Sequence, residues 1–107
     1  MTSDGSAYSR FRRALQARNL HLVIAAAREL PQVGLDDALH VCLLLRDSHP
    51  DRFQRAAVRW LGRFALEARG VTIEDVLEAG DALAVMPEHP AAAMESLQAI
   101  CLSHGIG

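Results

Sequence analysis

The chain has 107 residues, 50% of them hydrophobic and 22% charged, which describes one ordinary globular domain and excludes a disordered chain. Eleven basic against thirteen acidic residues leave a formal charge of −2, a balance that argues against a generic polyanion binder. No apolar run approaches the roughly 18–20 residues needed to cross a bilayer, and residues 1–8 are too polar to form the apolar core of a signal peptide.

Residues 1–6 are small and polar and read as a flexible N-terminal tail, with residues 7–107 as a single helical domain. Tyr8, Phe11, Ala14 and Leu15 recur at spacings of three and four, which predicts a first helix. It breaks at Arg18-Asn19, where Asn19 is suited to cap the next. Leu22, Val23, Ala26, Ala27 and Leu30 form the second stripe, stopped by Pro31 and Gly34. A third helix starts near Leu35, with Asp36 and Asp37 in its first turn, where carboxylates suit the helix dipole. It is apolar nearly all round, through Leu39, Val41, Cys42, Leu43, Leu44 and Leu45, as expected of a central helix.

The fourth and longest helix is predicted over residues 51–69, with Phe53, Ala57, Trp60, Leu61 and Phe64 on its core side and Gly70 at its end. Thr72 caps a fifth, with Asp75 three residues on in the place of a capping-box acid. Its expected stripe is Ile73, Val76, Leu77, Leu83, Val85 and Met86, interrupted at Gly80-Asp81. A sixth helix runs from Pro90 to about Ser103 through Met94, Leu97, Ile100 and Cys101. No segment sustains a period of two. The fold class is therefore all-α, five or six short antiparallel helices with the third and fourth at the centre, either in a helix-pair repeat or as an irregular helical bundle.

Residues 33–39, Val-Gly-Leu-Asp-Asp-Ala-Leu, resemble residues 71–77, Val-Thr-Ile-Glu-Asp-Val-Leu, 38 positions later. His49-Pro50 and His89-Pro90 follow in the same order. This spacing resembles the helix-pair repeats of the HEAT and tetratricopeptide kind. The run Arg55-Ala56-Ala57-Val58-Arg59-Trp60-Leu61-Gly62-Arg63-Phe64 also resembles small, uncharacterised all-helical actinobacterial proteins, a likeness that implies no activity.

Chemistry-bearing motifs are sparse. Cys42 and Cys101 sit in apolar segments and read as buried free thiols in a reducing, cytoplasmic setting. His40 and Cys42 are two apart and diverge on a helix, whereas Cys101 and His104, three apart, lack two further ligands, so neither pair predicts a metal. No nucleophile elbow, phosphate loop or His-Glu-x-x-His motif occurs. The expectation is a protein that is not an enzyme and needs no cofactor.

All eleven basic residues are arginine. The charge is also split: residues 1–69 carry +4, residues 70–107 carry −6. Arg52, Arg55, Arg59 and Arg63 cluster on another side of the fourth helix. Such a ridge is a solvated face, a partner of the acidic C-terminal third, a docking surface for an acidic protein, or a phosphate-backbone contact aided by Arg10, Arg12 and Arg13. The functional expectation is a small protein–protein interaction or assembly module using Arg52, Arg55, Arg59 and Arg63, able to self-associate. The alternative is a nucleic-acid accessory protein.

Overall fold

A computed structural model describes residues 3–106, with side chains from residue 7 onward. It contains six helices and, among the described residues, no strand: α1 (Ser3–Gln16), α2 (Leu20–Ala27), α3 (Leu35–Ser48), α4 (Pro50–Glu67), α5 (Ile73–Val85) and α6 (Pro90–Ser103). Helix α1 begins at Ser3, inside the segment expected as a tail, and residues 1 and 2 lie outside the described residues. No helix described is long and apolar enough to cross a membrane.

Local chemistry accounts for the breaks. Arg18 adopts a left-handed φ of 58°. Asn19 N–H then bonds to the Ala14 carbonyl and Arg18 N–H to that of Leu15, a Schellman closure of α1. The Asn19 side chain caps α2 by accepting from Leu22 N–H. Thr72 accepts from Asp75 N–H at 3.1 Å while the Asp75 carboxylate accepts from Thr72 N–H at 2.9 Å, the reciprocal capping box the sequence suggests. His49 and His89 have nearly the same backbone, φ −143° and ψ 67° against φ −132° and ψ 65°. The following proline keeps each out of the helical region and then heads the next helix.

The most extensive packing is between consecutive helices, α1 with α2, α3 with α4 and α5 with α6. Helix α3 also touches α1, α2 and α6, which gives it the central place expected. One core joins Leu35, Leu39 and Cys42 to Phe53, Trp60, Phe64 and the buried residues of α5 and α6. A second joins Leu44 and Leu45 to Phe11, Ala14, Leu20, Val23 and Ala26. Trp60 anchors the first: it is 2% exposed, stacks on Phe64 at 5.5 Å between centroids, and donates its indole N–H to the Leu35 carbonyl at 2.8 Å.

Two apolar stripes differ from expectation. On α2 the buried residues are Leu20, Val23 and Ala26, and Leu22 points outward. On α5, which runs unbroken through Gly80-Asp81, the buried set is Ala79, Ala82, Leu83 and Met86. Ile73, Leu77 and Val85, expected in the stripe, are exposed. The buried set is itself an i, i+3, i+4, i+7 stripe, built on alanines that let α5 lie close to its neighbours. Gly80 serves the same end on the flank toward α4, where Leu61 Cδ2 lies 3.4 Å from the position a β-carbon would take.

Candidate functional site

Helices α2 and α4 both lie on α3, yet no backbone contact joins them to each other among the described residues. The gap is an open groove made of two adjoining hollows of about 290 and 390 Å³. Both hollows are lined by Ile24 of α2, Val41 and Leu45 of α3, and Ala56 and Arg59 of α4. Val23, Ala27, Ala38, Cys42 and Trp60 extend the apolar floor at one end. At the other, Leu20, Arg52, Arg55 and Asp51 line the wall. The four arginines singled out from the sequence thus form one wall of an apolar groove, Arg63 at the Trp60 end and Arg52 and Arg55 at the far end.

Their electrostatics divide them. Arg63 is held by Glu67 one turn along α4, with Nε donating to Oε2 at 2.8 Å. This bond, with the arginine's charge, holds the Glu67 carboxyl below its ordinary range. The side chains of Arg52, Arg55 and Arg59 are exposed and make no hydrogen bond or ion pair among the described residues. The acidic C-terminal helices do not answer them. Helix α5 meets α4 along Gln54, Val58 and Leu61, the opposite flank from the groove.

The N-terminal arginines have a different use. Arg10 pairs with Glu29, Arg12 with Asp37 at 2.6 Å, and Arg18 with Asp47. Tyr8 donates its hydroxyl to the same Asp37 at 2.9 Å, a bond that, with partial burial and that carboxylate's charge, pushes the phenol above its ordinary range. These contacts tie α1 to α2 and α3, so Arg10 and Arg12 do not extend the groove's basic wall.

The histidine and cysteine pairs are not brought together as ligands. His40 Nδ1 lies 2.9 Å from the Asp36 carbonyl, while Cys42 is in the core. His104 forms a clasp that sequence reasoning missed: Nδ1 is 2.6 Å from the Arg69 carbonyl and Nε2 is 3.2 Å from Asp75 Oδ2, with Phe64 edge-on at 5.8 Å. The Thr72 backbone amide, helped by the Thr72 hydroxyl and by His104, holds the Asp75 carboxyl below its usual range. Burial pushes the Cys42 and Cys101 thiols up to about 11 each, with a further push on Cys101 from the Asp36 charge. Among the described residues no three His, Cys, Asp or Glu side chains gather as a metal site. No family model, curated protein or solved structure matches the chain.

Proposed function

We propose that this protein is a small docking module, without chemistry of its own, whose groove between α2 and α4 receives an acidic, amphipathic segment of a partner protein. One observation carries the reading: the Arg52, Arg55 and Arg59 side chains stand along an apolar trough with no partner among the described residues. Guanidinium groups with no internal partner are free to meet carboxylates in bidentate fashion. The trough supplies apolar area for the other edge of the same segment, the helix-in-groove mode of recognition. The ridge from Arg52 to Arg63 is about 16 Å long at the rise of an α-helix, the length of three turns. Thiols that ionise only near pH 11 support a module without a cysteine nucleophile.

The test is fluorescence anisotropy of a labelled, designed helical peptide carrying three glutamates on one edge and leucines on the next. Wild-type protein is expected to bind it at about 50 mM salt and to release it at about 500 mM, where exposed charges are screened within a few ångströms. The Arg55→Glu/Arg59→Glu variant is expected to lose the binding while keeping the wild-type melt. Equal binding by that variant, or no binding by the wild type, refutes the proposal.

A further inference from the structure

We infer that a second copy of this chain occupies the groove, presenting the outward face of α5. This rests on the docking reading above and names its partner. Ile73 and Leu77 on α5 are 80% and 62% exposed. Glu74, Glu78 and Asp81 are exposed and have no ion partner among the described residues. At 100° per residue, Ile73, Ala84 and Leu77 fall within about 40°, and Asp81, Glu74 and Glu78 fill the adjoining 60° or so. An apolar edge therefore runs beside an acidic edge, the complement of an apolar floor beside an arginine wall.

The spacing matches as well. Arg52, Arg55 and Arg59 are separated by three residues and then four. Glu74, Glu78 and Asp81 are separated by four and then three, so both triads span seven residues. A parallel α5 turns Ile73 and Leu77 to the floor and the acids to the wall, and brings Glu74 to Arg52, Asp81 to Arg59 and Glu78 to within about one residue of Arg55, because steps along both helices are equal at about 1.5 Å per residue. The order of the two edges around each helix fixes the direction of docking, and the opposite charges fix its offset.

The internal repeat points the same way. Leu35 and Leu39 lie 38 residues before Ile73 and Leu77. They are 6% and 0% exposed, covered by the helices that follow them, while their counterparts on α5 are largely exposed. The arginine groove and the α5 face lie on opposite flanks of α4, so one copy uses both at once. The contact is then heterologous, and it builds a chain or a ring of copies rather than a two-fold dimer.

Light scattering on the full chain tests this. The expected mass is the 11.7 kDa monomer at about 500 mM salt, rising with protein concentration at about 50 mM salt. Arg55→Glu/Arg59→Glu places acids on both surfaces and Glu78→Arg/Asp81→Arg places bases on both. Each variant is expected to weaken association more than about tenfold, since like charges then face each other. Mixing the two restores it, because every contact between unlike variants joins opposite charges. Circular dichroism melts matching the wild type establish that both variants fold, and the salt dependence of the wild-type mass reads the contact with no substitution. A wild-type protein still monomeric at about 1 mM and low salt overturns the inference. So does association that survives both reversals, or a mixture that stays monomeric. If the designed acidic peptide still binds the groove in those cases, only self-docking fails; if it does not bind, the docking reading fails too.

Discussion

Replacing Trp60 by Phe isolates the bond that ties α4 to the start of α3. The indole N–H to Leu35 carbonyl bond, at 2.8 Å and fully buried, is lost, at a net cost of about 1 kcal/mol. The carbonyl is not left bare, because as the first residue of α3 Leu35 also receives the amide four residues on. The smaller ring leaves a void of a few tens of cubic ångströms in a site only 2% exposed, worth roughly another 1 kcal/mol at about 24 cal/mol per Å³. The stack on Phe64 persists in kind. A loss of about 2 kcal/mol corresponds to a fall in Tm of roughly 8–16 °C for a domain of this size. Thermal melting followed by far-ultraviolet circular dichroism, with urea unfolding for the free energy, measures it. A Tm within about 2 °C of wild type would show that neither the hydrogen bond nor the indole's fit contributes, and would refute the packing argument.

Thr72→Ala removes the hydroxyl that receives Asp75 N–H and is expected to cost about 1 kcal/mol by urea unfolding; no change would mean the capping box is inert. Asp75 and Glu67 have folded pKa values below their ordinary ones, so the stability they contribute is complete above the unfolded values of 3.8 and 4.5 and is lost as pH falls through the folded values. The Tm is therefore expected to drop on acidification below pH 4.5, and less steeply in Asp75→Asn; an equally steep drop in that variant counts against the Asp75 contribution. Both thiols, buried and pushed up to about 11, are expected to resist Ellman's reagent near neutral pH until the chain unfolds, and rapid reaction in the native state would contradict their burial.

Local signals in the chain reach some of this structure and not the rest, for physical reasons. The capping box at Thr72, the two His-Pro turns and the central α3 follow from chemistry within a few residues. The angular arithmetic of α4 places the arginines on one ridge. The floor beneath that ridge comes from Ile24, Val41 and Leu45 on other helices, and only packing brings them there. Arg12 and Asp37, 25 residues apart, meet for the same reason, and that pair withdraws a basic residue the sequence left free. The misread face of α5 has another cause. Large apolar residues attract the eye, yet Ala79 and Ala82 occupy the contact because small side chains allow close helix approach. The displaced Ile73 and Leu77 then become surface, which is where the inferred self-contact lies.

The central claim is that the arginine-walled groove is a docking site, and amide-resolved NMR titration with the designed acidic helical peptide tests it most directly. The account predicts chemical-shift changes along Leu20, Ile24, Val41, Leu45 and residues 52–63, all lost in Arg55→Glu/Arg59→Glu. Shifts confined to α6, or an unchanged map in that variant, would contradict it.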